Sequence, residues 1–457
     1  MRRVAAGTGL LVIGALLTAC AQGTGDDTST EASYDSEASL SGSLEVMGFG
    51  TEDDVAQNRL AEAKKALDDV EVDLVEGDLD IQQFLASVAD GSPPDLVYAE
   101  RNQIGTFASR GAIVPLADCI DGEKIDTGVF NEAALGQVTF DGEVYGIPEF
   151  NVVQLTQANQ ELLDKAGVTL EDVNGSDWAA VTDANKKLME MDGGKLTVIG
   201  YDSKMPEFLP LWAKANGADM ISEDGRTAQL DDPAVVEALE FAVGIYEDQG
   251  GFSKVKAFRD SADFFGEDNP FAVGSLGAMP MEQWYINVLN DVSPDAPMAF
   301  DTVRTREGDP IAWASGSAWA IPKGSENPEA ACRMARAMTQ TETWIVAAEK
   351  RVELRKKDGG LFTGLLTGNT EADEQIQAMV EPSGDQKWDT AVEKTYEANG
   401  ATFAMPANPA GEEFEAAWQD AVNRVLNGQQ EPQEAMAQAQ DEAQSALDEA
   451  WAEWDEK

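Results

Sequence analysis

Strands and helices alternate through the first hundred residues, and that order leaves few folds open. Residues 44–48 read as a short strand, and residues 51–67 follow as a helix with Val55, Leu60, Ala63 and Leu67 at helical spacing. Residues 70–75 alternate apolar and polar and read as a second strand. Residues 81–89 form a helix that stops at Gly91-Ser92-Pro93-Pro94, and residues 95–98 are a strand of the buried kind. A β-α-β-α-β order predicts a parallel, doubly wound sheet, whose ligands sit beyond the carboxyl ends of its strands. The loops 49–53 and 99–103 lie at such ends. Roughly 415 residues follow position 41, too many for one hydrophobic core, so two domains are expected.

The start of the chain reads differently. Arg2 and Arg3 precede an apolar run, residues 4–17, that is too short to span a bilayer and is followed by no second run of the required length. The run ends in Leu17-Thr18-Ala19-Cys20, which resembles the bacterial lipobox, where a cysteine thiol accepts a diacylglyceryl group. Residues 1–19 are thus expected to be a signal peptide. Residues 20–41, rich in Gly, Ser, Thr, Asp and Glu, are expected to be a lipidated tether too polar to bury a core. Lipidated Cys20 would hold the protein on the outer face of the cell membrane.

Charge and side-chain inventory narrow the chemistry. Acidic residues outnumber basic ones 84 to 32, a net charge of −52. That balance excludes nucleic-acid partners, which require a basic face. The acids are dispersed along the chain, as on a solvated surface, and adaptation to a saline environment is the favoured explanation. There is no histidine, which removes the usual general base, the usual zinc ligand and the Ser-His and Cys-His arrangements. No P-loop, dinucleotide fingerprint or EF-hand pattern occurs, so neither cofactor nor metal is expected. Cys119 and Cys332 are able to pair outside the cell, but Cys332 in Ala330-Ala331-Cys332-Arg333-Met334 equally reads as a small core residue on a helix. Near the C-terminus, Phe414, Ala417, Trp418, Ala421 and Val425 share one face of an acidic amphipathic helix, a stripe of the core-facing kind.

A series of motifs, in order over most of the chain, carries a family resemblance. Gly91-Ser92-Pro93-Pro94-Asp95-Leu96-Val97-Tyr98 looks like the Pro-Asp strand of the extracellular solute-binding proteins of ABC importers, in the family that includes maltose-binding protein. Val144-Tyr145-Gly146-Ile147-Pro148 resembles that family's hinge, and Asn159, Leu162-Leu163-Asp164-Lys165-Ala166-Gly167 and Asp177-Trp178 follow in its order. So do Leu211 to Gly217, Asp231 to Leu239, Phe271 to Met279, and Ala320 to Ala331. Relatives usually carry Tyr-Tyr-Asn where this chain has Gln157-Ala158-Asn159.

The resemblance implies a two-lobe, periplasmic-binding-protein-like α/β fold with doubly wound sheets, a hinge and an interlobe ligand cleft. One lobe is expected at 42–148 plus 318–354, the other at 149–317 plus 355–457. Carried over position by position, it implies ligand contacts from Glu52 after the first strand and from Glu100, Arg101 and Asn102 after the Pro-Asp strand. Beyond the hinge come Glu149 and Asn151, then Glu207 and Phe208, then Gln283, Trp284 and Tyr285, and finally Trp313, Ser315 and Asn408. Aromatic faces stack on sugar C–H faces while planar polar groups bond hydroxyls. The implied function is capture of a mono- or oligosaccharide for delivery to a membrane permease, with no catalysis. A polyol, a glycerophosphodiester or a cationic solute caged by Trp284, Tyr285, Glu282 and Glu149 is the alternative. A secreted glycosidase, needing two carboxylates with one pKa raised, stands last.

Overall fold

Leu44, Val46 and Met47 are buried in β1 (Ser43–Met47), the strand around which the first sheet is built. In this computed structural model, which describes residues 34–35 and 38–457, β1 lies parallel to both β2 (Glu71–Val75) and β3 (Leu96–Glu100). Signal peptide, Cys20 and most of the tether therefore fall outside the described residues. Gly48, at φ +92°, ends β1; a Cβ there would collide with the Tyr98 carbonyl oxygen. The helix starts at Asp54, three residues later than its apolar spacing suggests. Asp53 stays extended as the N-cap and accepts the Ala56 N–H at 2.7 Å. Asp95 anchors β3 on both sides: it accepts the Glu45 N–H, the Ser325 hydroxyl and the N–H groups of Glu326 and Asn327.

The first sheet is completed by strands from later in the chain. β4 (Thr139–Phe140) and β5 (Glu143–Val144) form a hairpin leading into β6 (Ile147–Val152). After β6 the chain passes into the second sheet through β7 (Gln154–Asn159), then β8 (Glu190–Asp192), β9 (Lys195–Tyr201), β10 (Leu276–Glu282) and β11 (Met298–Thr302). It returns through β12 (Ala312–Trp313) to β13 (Ser315–Ala320), and β14 (Thr402–Phe403) later pairs with β12. The orders are β2-β1-β3-β13-β6 and β11-β7-β10-β9-β8. β13 runs antiparallel to β3 and β6, and β7 antiparallel to β10 and β11, so both sheets are mixed.

Cys119 and Cys332 are joined in a disulfide, their Cα atoms 5.8 Å apart and both side chains buried. It ties the helix Ala117–Glu123 to the helix Pro328–Thr339. Cys332 is thus both core residue and bridge. The C-terminal stripe is buried as its spacing predicts, within the helix Gly411–Leu426. The last helix, Pro432–Asp455, reaches back to the β4–β5 hairpin, stacking Trp451 on Phe140 at 5.1 Å and bonding Trp454 Nε1 to Asp141. Among the described residues no helix is long and apolar enough to cross a membrane.

Candidate ligand-binding site

Three of the expected residues meet around one cavity. Asn151, Gln283 and Trp284 line a space of about 220 Å³ together with Asp53, Asn287, Arg351, Thr363 and Tyr396. The strand order explains the gathering. β10 ends at Glu282 where β7 begins, and Glu282 faces Gln154 in their antiparallel register. Gln283 then closes the corner: its Oε1 accepts the Val153 N–H and its Nε2 donates to the Asn151 carbonyl. Trp284 follows directly and keeps 37% of its surface exposed. Its indole lies parallel to the ring of Phe265, itself 63% exposed, with planes 4° apart and centroids 6.2 Å apart. Two large aromatic faces left in water are unusual on a chain with so few exposed apolar side chains.

A second group sits past β3. Asn102 donates to Glu415 on the helix Gly411–Leu426. Partial desolvation raises the carboxyl pKa of Glu100; Arg101 opposes the rise, while Asp78 and Glu415 add to it. Burial also raises Glu415. Arg101 itself points inward, fully buried, with its pKa pushed down to about 10 by burial; it donates to the Phe150 carbonyl and to Asn151 Oδ1. Around Trp313, Gln154 bonds the backbone N–H and carbonyl, while the indole N–H and the nearby Glu282 Oε2 have no partner among the described residues. Ser315 begins β13 beside them, paired with Val152.

Other expected contacts are spent inside the fold. Glu149 is fully buried: Arg59 donates to its two oxygens at 2.6 and 2.7 Å, and Trp319 Nε1 donates to Oε2 at 2.6 Å. Tyr285 is buried with its hydroxyl on the Phe264 carbonyl, and Phe208 lies in the core. Asn408 is buried and caps its own turn, accepting the Ala410 N–H. Glu52 is exposed in the loop before the first helix, and Glu207 is exposed and pairs with Lys204. Phe265, Asp53 and Glu415 were absent from the sequence-based set. Phe265 is flanked by Phe264 and Gly266 in a segment without periodicity, so no local pattern marks it.

Residues 58–351 match the family described as bacterial extracellular solute-binding protein, well over half of the chain. The chain belongs to that family. An arabinooligosaccharide-binding protein of Halalkalibacterium halodurans is 27% identical over 214 residues, 46% of each chain. An arabinooligosaccharide-binding protein of Bacillus subtilis is 24% identical over 252 residues, 54% of this chain and 56% of that one. The matches thus span about half the length of these curated relatives. Among solved structures, CpMnBP1 with mannobiose bound superposes with a TM-score of 0.69 at 21% identity, covering 88% of this chain and 99% of the other. A Listeria monocytogenes ABC substrate-binding protein in complex with cycloalternan gives the same TM-score and identity, covering 89% and 99%. The fold of this solute-binding protein is therefore the two-lobe α/β architecture, with the β6–β7 connection and the β11–β13 connection, which carries β12, passing between its two five-stranded sheets.

Proposed function

We propose that this solute-binding protein captures a mono- or oligosaccharide between its lobes and delivers it to the permease of an ABC importer. The exposed, parallel Trp284–Phe265 pair carries the reading. It supplies the apolar face a sugar ring needs, beside a cavity lined by polar side chains that include Asp53, Asn287 and Arg351. Curated relatives named for arabinooligosaccharides support the same class of ligand. The reading includes binding without turnover, anchoring outside the cell through lipidated Cys20, and lobes at 42–148 plus 318–354 and 149–317 plus 355–457. One refinement enters: the helix Thr370–Gln377 packs on the helix Thr341–Asp358, on the side of the first sheet.

The test is a thermal-shift screen of arabino-, manno- and malto-oligosaccharides with glycine betaine as the cationic arm, followed by calorimetry on the hits. Trp284→Ala should weaken the best sugar about tenfold or more while leaving the ligand-free melting point unchanged. Stabilisation by glycine betaine and by no sugar would overturn the sugar reading.

A further inference from the structure

Phe150 lies within β6, two residues before the strand ends and the chain leaves the first sheet, and its φ is +56°. For a bulky residue without a polar side chain this conformation is costly, and it persists only where the surroundings over-determine it. Here they do. Arg101 donates to the Phe150 carbonyl at 2.8 Å, and the Phe150 N–H donates to the Thr367 carbonyl at 2.9 Å. The Asn151 N–H donates to the Leu366 carbonyl at 3.1 Å. The ring packs edge-on against Trp344 and lies 5.1 Å from the Arg59 guanidinium. The returning strand closes from the other side: a Cβ at Gly316 would stand 2.5 Å from the Phe150 carbonyl oxygen.

Asp373 holds the far end of this clamp. Its Oδ1 accepts both the N–H and the hydroxyl of Thr367 at 2.7 Å, and its Oδ2 accepts from Asn399 at 2.9 Å. Asn399 Oδ1 in turn accepts from Asn151 Nδ2 at 3.0 Å, and Asn151 Oδ1 accepts from Arg101. The chain Arg101–Asn151–Asn399–Asp373–Thr367 is almost wholly buried. It joins the end of β3, the β6–β7 connection, the helix Thr370–Gln377 and the helix Gln386–Asn399, which packs on the second sheet. No cation pairs with Asp373 among the described residues. An Asn there would turn an N–H toward one of these donors, so only a carboxylate closes both ends of the chain.

We propose that Asp373 is a positioning residue for ligand capture: through Thr367, Asn399 and Asn151 it fixes the interlobe connection at Phe150 and sets how readily the lobes close. This rests on the solute-binding reading of the cleft. Burial pushes its carboxyl up to about 6, so above that pH the ionised group accepts from Thr367 and Asn399 together. The groups around it do not substitute. Tyr396 on the helix Gln386–Asn399 stays protonated beside it, and Arg101 reaches it only through Asn151. Glu371 and Glu374 on its own helix are exposed, and the helix Thr341–Asp358 turns Thr343, Trp344, Ala347 and Ala348 inward.

The test compares the mature chain with its Asp373→Asn variant at about pH 7.5. Hydrogen exchange at the Phe150 and Asn151 amides, corrected for intrinsic rates, is read without ligand. Affinity for arabinotriose and maltotriose is read by calorimetry. Relative to wild type, Asp373→Asn should gain amide exchange and lose about fivefold or more in affinity. The thermal melt of Asp373→Asn should stay intact. Amide exchange in Asp373→Asn that matches wild type overturns the proposal, whatever the sugars do. Failure of both sugars to bind wild type, with the exchange difference intact, counts against the sugar reading alone. If Asp373→Asn fails to fold, Asn399→Ser cuts the same chain one bond away, and unchanged exchange in that variant overturns the proposal equally.

Discussion

Replacing Glu149 by Ala decides whether that carboxylate serves the fold or a ligand. In the structure it is the counter-charge of Arg59, with both side chains 0% exposed and two short charge-assisted hydrogen bonds between them. Removing it strands a guanidinium between Phe150 and Trp344, 3.9 Å from the latter's ring, and that costs about 3–5 kcal/mol. The Trp319 N–H loses its acceptor too, at about 1–3 kcal/mol if nothing replaces it. The terms share one site and do not add in full, so about 4–6 kcal/mol is the working figure. Unfolding entropy for a chain of this size is roughly 0.9 kcal/mol per degree, which makes the expected fall in Tm about 5 °C, and about twice that if the lobes melt separately. Differential scanning calorimetry of the ligand-free protein measures it. Arg59→Met with Glu149→Leu should recover most of the loss, because two apolar residues leave no charge behind. Sugar affinity per folded molecule should stay as in wild type. A Glu149→Ala protein that melts normally and binds no sugar would refute the reasoning and return Glu149 to the cleft.

Cys119→Ser with Cys332→Ser opens a 213-residue loop, for which chain entropy sets a limit of about 5 kcal/mol; a loss of about 2–5 kcal/mol in chemical denaturation is expected, and an unchanged midpoint would show the bridge to be idle. Asp373 binds its proton more tightly folded than unfolded, so its contribution to stability is full below about pH 4 and is lost as pH rises through about 6. Asp373→Asn should therefore flatten the stability–pH curve in that window by about 3 kcal/mol, and an unaltered slope would contradict the burial argument. With 84 acidic and 32 basic residues, the unfolding midpoint should climb as added salt shortens the Debye length from about 30 to about 3 Å, whereas a level midpoint would dismiss the saline adaptation.

Local pattern was enough for the elements and the family. The spacing of Val55, Leu60, Ala63 and Leu67 marks a helix because neighbours three and four apart share a face, and all four are buried. The stripe from Phe414 to Val425 is legible for the same reason. Even the cavity was partly visible, since Gln283 and Trp284 follow shortly after the Phe271 to Met279 motif, which runs into β10. Periodicity reports only which face turns inward, not what waits there. Glu149 reads as a polar residue past a hinge proline until Arg59, 90 positions earlier, is found against it. Cys119 and Cys332, Asn151 and Asn399, and the helix Gly411–Leu426 that brings Glu415 to Asn102 are likewise separated by hundreds of residues. Whether a buried polar side chain serves the interior or a ligand depends on which partner the folded chain delivers to it. Only the tertiary structure makes that choice, because the cost of an unpaired buried group is set by its neighbours in space and not by those in sequence.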